Sequence, residues 1–140
     1  NGKGCGYGKT CSPAYPVRGA CPEGWHLPSG EEWQTLKNFV TKLFGKLDSV
    51  GYALKSTSGW NDYNGKSGNG SDAFGFGALP AGTLDASSSD VFRYTTFWKS
   101  TEYDANYACS DEILYSVSIL LDTRNFKNVA FSIRCVKDKD

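Results

Sequence analysis

Five cysteines, a single histidine and several aromatic rings set among Asn, Asp and Gly are the residues of this 140-residue chain whose types and spacing bear on chemistry. Cys5 and Cys11 enclose Gly6-Tyr7-Gly8-Lys9-Thr10, a flexible loop that a local disulfide can close. Cys21 and Cys135 bracket most of the chain. Bridging them would constrain a very long loop, which the chain-entropy argument values at roughly 4–5 kcal/mol. Cys109 is then left unpaired. The competing reading is five reduced thiols in a cytosolic protein. The loop-rich sequence around the pairs favours disulfides and an oxidising compartment. Zinc is disfavoured because there is no Cys-x-x-Cys and His26 stands alone, so four ligands would have to come from distant cysteines.

The rings point to binding rather than catalysis. Trp60 and Tyr63, and later Tyr103 and Tyr107, lie in polar sequence where no strand pattern forces them inward. Flat rings flanked by Asn61, Asp62 and Asn106 suit sugars, whose apolar faces stack on an aromatic while their hydroxyls need paired donors and acceptors. Several such rings give avidity along a repeating polymer. The alternative is that they close a loop-covered core, as expected of Trp25, Trp33 and Trp98. Asp62, Asn64, Asn69 and Asp72 place oxygen atoms on a Gly-broken loop, the donor set a Ca2+ ion takes; the same residue types also serve as turn formers that bond their own backbone. His26 has no Ser or acid at a telling spacing and reads as a structural histidine. Glu31 and Glu32 suit the positive end of a helix rather than a glycosidase pair. No catalytic set is recognisable, and the expected protein is a binding module with no enzymatic activity.

These residues need a scaffold. Ser29 followed by Glu32 is a capping-box pattern, and Trp33, Leu36, Phe39, Val40, Leu43 and Phe44 recur at helical spacing. The spacing predicts a helix over about 30–44, ended by Gly45, with Trp33 and Leu36 facing the core. Residues 1–20 read as an irregular arm pinned by Cys5 and Cys11, and 21–138 as the body of one domain. The stretch 56–72 has no periodicity and reads as a long loop, a feature usually functional or disordered in a compact domain. Strand signals fall at 75–79, 95–100, 115–121 and 129–136. Alternation puts Val117, Ile119 and Leu121 on one face and Val129, Phe131, Ile133 and Cys135 on another, and 122–128 would join the last two strands as a hairpin. The expected fold class is α+β.

Composition narrows the partners. Fifteen basic and fifteen acidic side chains cancel without any basic cluster, which argues against nucleic acid. No apolar run approaches a membrane span and no signal peptide is visible. Sixteen Gly, 39% hydrophobic and 14% aromatic residues describe a loop-rich domain whose apolar content is concentrated in large rings.

Several motifs occur in a telling order: Tyr15 to Ala20 leading into Cys21 to Trp33, Leu54-Lys55-Ser56 with Gly59-Trp60-Asn61-Asp62, Ala73 to Gly82, Phe97 to Glu102, and Phe131 to Asp138. Together they resemble the Fibrobacter succinogenes major paralogous domain over nearly the whole chain. The resemblance implies a C-type-lectin-like fold, in the form shared with formylglycine-generating enzymes, with one main helix, short antiparallel strands and long loops. It also implies an exported protein at the bacterial surface, often lipid-anchored, with attachment to plant-cell-wall polysaccharide the expected role. Family domains carry further strands upstream of the start seen here, so the chain reads as the later part of such a domain. Two other roles follow from the same resemblance: protein recognition through a variable face in 108–128, or a structural part of the envelope. An oxidase of the formylglycine-generating type would need paired redox cysteines, and Cys109 and Cys135 sit in no such motif. Trp60-Asn61-Asp62 spells a calcium motif of sugar-binding lectins but lies far upstream of Cys135, so lectin-type sugar coordination is not carried over.

Overall fold

Ser29 opens the main helix, α1 (Gly30–Phe44), with the capping box the sequence predicts: its hydroxyl accepts from the Glu32 amide, and the Glu32 carboxylate accepts from the Ser29 amide. Gly45 closes it in the left-handed conformation at φ 72°, returning its N–H to the Thr41 carbonyl. The computed structural model containing this helix describes residues 5–83 and 90–139. Around α1 lie β1 (Trp25–His26), a 3-10 turn at Leu47–Ser49, α2 (Val50–Leu54), β2 (Tyr94–Glu102), β3 (Tyr107–Leu114), β4 (Leu120–Phe126) and β5 (Val136–Lys137). Residues 5–20 carry no helix or strand. The protein is α+β, with every strand pair antiparallel.

β2, β3 and β4 form one sheet in chain order, while β1 pairs with β5 at Trp25↔Lys137 and His26↔Val136. Beside that short ladder Cys21 is bonded to Cys135, their Cα atoms 5.8 Å apart. Cys5 is bonded to Cys11. Both pairings are those expected, and Cys109 is free. Two structural disulfides are the mark of an oxidising environment. Among the described residues no helix is long and apolar enough to cross a membrane.

The core gathers Trp33 and Val40 of α1, Val50, Ala53 and Leu54 of α2, Trp60 and Ala78 from the loops, Phe97 of β2, Ile113 of β3 and Leu120 of β4. Trp33 and Phe76 both rest on Phe97, each with ring centroids 5.7 Å from it. A charged network also lies between helix and sheet. Asp111 of β3 is fully buried with Lys37 Nζ at 2.6 Å and Lys99 Nζ at 3.1 Å, and Lys99 reaches Asp122 of β4 at 3.1 Å.

The strand expectations need correction after β2. The hairpin predicted from 115–121 and 129–136 is instead made by β3 and β4, joined through 115–119. Residues 122–126, expected in a loop, pair with β3. Val117 and Ile133, each expected on an apolar strand face, are exposed and lie outside the strands. The stretch 75–79 forms no strand and contributes only an isolated bridge from Ala78 to Lys55.

The loop over 56–72 is ordered by close backbone packing. A Cβ at Gly70 would collide with the main chain of Tyr52 and Lys55, and one at Gly68 with the carbonyl of Asn61. Lys55, buried at the end of α2, donates to the carbonyls of Leu114 (3.2 Å) and Val117 (3.1 Å) and lies 5.3 Å from the Trp60 ring centroid. One side chain thereby ties the long loop to the β3–β4 turn. Burial pulls its ammonium pKa down to about 8.

Candidate functional site

The aromatic residues expected to bind ligand divide into two groups at opposite ends of the β2–β3 hairpin. The first is at the turn between these strands. Asp104 Oδ1 accepts the amides of Asn106 (2.7 Å) and Tyr107 (2.8 Å), an Asx turn that fixes the tip. Tyr107 stacks on Phe126 of β4 with centroids 4.4 Å apart. Tyr103 is 52% exposed, with the Arg124 guanidinium over its ring at 3.8 Å.

Onto this turn folds the arm closed by the Cys5–Cys11 bond. Gly8 donates to the Ala105 carbonyl (2.9 Å), and the Cys11 amide reaches Glu102 at 2.8 Å. Lys127 Nζ joins Glu102 (2.5 Å) to the Lys9 carbonyl (2.9 Å). The Lys127 bond, together with the Cys11 amide, holds the Glu102 carboxyl below the usual carboxylate range, against an opposing push from burial. Tyr7 is brought edge-on to Phe126 at 5.9 Å and stays 52% exposed. The result is a surface of Tyr7, Tyr103, Tyr107 and Phe126 rings with Arg124 and Asn106 among them.

Sequence reasoning placed Tyr103, Asn106 and Tyr107 together but missed Tyr7, Arg124 and Phe126. No local sequence signal marks them: Asp122, Arg124 and Phe126 turn outward along β4, a stretch whose sequence reads as a loop.

The second group lies in the long loop. Tyr63 pairs with Lys66 across Asn64 and Gly65, whose φ values of 50° and 71° make the two-residue turn that Asn-Gly favours. Tyr63 is exposed and meets Tyr115 edge-on at 5.5 Å, and Arg93 lies 5.4 Å over the Tyr115 ring. Asn61 and Asp62 are exposed beside it. Tyr115 directly follows β3, whose far end starts at Tyr107, so the two groups stand roughly 25 Å apart at the rise of an extended strand.

Trp60 belongs to neither group. It is 5% exposed, and its indole N–H donates to Ser56 Oγ and the Ala78 carbonyl, both at 3.1 Å. Packed and satisfied, it leaves no open face for a ligand. The calcium donor set fares similarly. Asn69 Oδ1 accepts the Trp60 amide (3.0 Å), Asp72 Oδ1 accepts the Gly77 amide (2.7 Å), and Asn64 is a turn residue. Among the described residues no three His, Cys, Asp or Glu side chains are grouped to hold a metal ion. The loop's polar residues therefore fit turn formation and do not fit a calcium cage with Asp62.

His26 has the acid partners that its sequence context hid. Nδ1 is 2.6 Å from Asp138 and Nε2 2.9 Å from Glu32, so neither ring nitrogen is free to move a proton to a substrate. Cys109, paired in register with Arg124, is partly buried. Burial pushes its thiol up, with nearby Lys99 opposing, and the net shift is away from a reactive thiolate. Cys135 is already bonded to Cys21 and is not available as its redox partner.

No curated protein and no solved structure matches the chain. One family does, the Fibrobacter succinogenes major domain, across residues 6–137. That span runs from Gly6, just after Cys5, to the last residue of β5, taking in the loop closed by Cys21 and Cys135 and the whole hairpin sheet. The chain thus belongs to the Fibrobacter succinogenes major domain family.

Proposed function

We propose that this chain is a non-catalytic, exported binding module of C-type-lectin-like type that attaches to an extracellular polysaccharide of the plant cell wall. The observation that carries the reading is the hairpin-end surface: Tyr7 and Tyr103, each half exposed, beside Tyr107, Phe126, Arg124 and Asn106. Aromatic planes interleaved with polar groups are what stacked sugar rings require. The arm that supplies Tyr7 is held by a disulfide and by Glu102, so the surface is preorganised and binding needs little ordering of the protein. Tyr63, with Asn61 and Asp62, offers a second contact some way along a polymer, and two modest contacts on one chain multiply. The two disulfides support an oxidising, extracytoplasmic setting.

Affinity electrophoresis of the non-reduced protein through xylan, mannan, β-glucan or soluble cellulose derivatives tests this. Retardation by one polymer that is lost in Tyr103→Ala and weakened in Tyr7→Ala is the expected result. Chelator is expected to leave it unchanged. A folded sample retarded by none of the polymers would overturn the reading.

A protein-recognition role has one observation in its favour. β4 is the edge of the three-stranded sheet, and within the segment 108–128 it turns Asp122, Arg124 and Phe126 outward. Such an edge can accept an added strand. Retention of a protein ligand by the wild type, abolished by a proline placed at Thr123, would favour it over glycan.

A further inference from the structure

A recess of about 370 Å³ opens against the inner face of α1, away from the hairpin-end surface. Its walls are mainly apolar: Trp33, Leu36, Leu54, Phe76 and the disulfide-bonded Cys135, with Arg134 completing them. That volume is at the small end of the range for small-molecule sites. Its shape is set by fixed parts. The Cys21–Cys135 bond holds one wall, and Trp33 lies in the first turns of a capped helix with its ring 6.0 Å from that of Phe76.

Arg134 is the unusual member. Its guanidinium lies 4.3 Å over the Phe76 ring and donates to the Phe76 carbonyl. Among the described residues no carboxylate forms an ion pair with it. Glu32 also lines the recess, but its two oxygens are engaged by His26 and by the Ser29 amide, both at 2.9 Å. The charge left to be matched is therefore positive. A guanidinium presents five donors in a planar fork, and one carbonyl leaves most of them open.

We propose that this recess is a binding site for a small aromatic carboxylate, its ring held against Leu36, Phe74 and Phe76 and its carboxylate on Arg134. The aromatic walls select a flat apolar body, and the fork selects two coplanar oxygens over a single charge. The site shares no residue with the hairpin-end surface and stands or falls separately from glycan binding.

The test is titration of the intact, oxidised protein with trans-cinnamate, cinnamamide and acetate, followed by tryptophan fluorescence and by the indole N–H resonances. Saturable binding of cinnamate, at least tenfold tighter than the isosteric amide and than acetate, is expected. Arg134→Gln should lose at least tenfold for cinnamate, and Tyr103→Ala should bind as the wild type does. Equal responses to acid and amide, or an acetate response as strong as that to cinnamate, would overturn the proposal. So would the absence of saturable binding, or dimerisation that cinnamate does not displace. If Arg134→Gln fails to fold, the acid-to-amide ratio on the wild type still decides.

Discussion

Lys37 of α1 and Asp111 of β3, 74 residues apart in sequence, meet with Nζ and Oδ1 at 2.6 Å and both side chains closed off from solvent. Lys99 approaches the other carboxylate oxygen at 3.1 Å, and the exposed Asp122 touches both lysines. The helix is thus fixed on the sheet by charge as well as by Trp33 and Val40. Asp111→Asn keeps the shape and removes the charge, leaving two buried ammonium groups with only a solvated partner. Loss of about 3–5 kcal/mol is expected in urea denaturation. A loss below about 1 kcal/mol would show that the network has the weak energetics of a surface pair.

His26 makes stability fall on the alkaline side. Its bond to Asp138, and next that to Glu32, raise its pKa above 6.5 despite burial. Below the unfolded value the imidazolium is present in both states and its contribution is complete. As pH rises through the raised folded value the ion pairs are lost and stability drops. Glu32 acts on the acid side. Burial pushes its carboxyl up, but the Ser29 amide and His26 outweigh that and the net shift is down, so its contribution is lost as pH falls through the folded value. Urea midpoints of the wild type should decline on passing from below pH 6.5 to the alkaline side, while His26→Gln shows no such step. An identical decline in the variant would remove His26 as its source.

Lys55 works in the opposite direction. With its folded pKa near 8 against 10.5 unfolded, the folded state gives up the proton first between those values. The unfolded state then binds more protons, so stability rises with pH across that window. Lys55→Met should abolish the rise. It should also lower stability at neutral pH, because the carbonyls of Leu114 and Val117 lose their donor. A wild-type curve flat from pH 8 to 10.5 would count against a desolvated ammonium here.

The two disulfides should differ in worth. Cys21 and Cys135 close a loop of 114 residues, and replacing both with Ala is expected to remove about 4–5 kcal/mol. Cys5 and Cys11 are six residues apart, and the same argument gives about 2 kcal/mol. Loss of the short bridge should instead show in binding, since it holds the arm that carries Tyr7. Equal destabilisation by the two double variants would contradict the loop-length account.

What could be read from the sequence follows from where each signal is written. Ser29, Glu32 and Gly45 carry the ends of α1 in their own side chains and backbone, so the helix emerged with its true limits. The cysteine pairing was legible because the partners fall in loops and only one cysteine was left over. β3 was missed because its buried residues include Ser110 and Asp111, on opposite faces, where a strand pattern looks for apolar side chains, and Asp111 is buried only because Lys37 and Lys99 come to it from other elements. Trp60 misled for a similar reason. Its neighbours in sequence are polar, yet they serve the ring: Ser56 and the Ala78 carbonyl take its N–H, and Asn69 takes its amide. Tyr103 and Tyr107 were placed together by proximity in the chain, whereas Tyr7 and Phe126 join them through contacts that no local pattern encodes.

The bond between Cys21 and Cys135 also decides how the domain answers a pull. Tension applied through the two ends of the chain passes across a covalent shortcut, so the intervening 114-residue separation bears almost none of it. β1 and β5, lying just inside and just outside the bond, can be drawn apart, and the arm before Cys21 can be straightened. The hairpin sheet, the helix and the long loop cannot be extended unless a sulfur–sulfur bond breaks. A module pulled from both ends would keep Tyr103, Tyr107 and Phe126 in place and give up only the Tyr7 contact, carried by the arm that straightens.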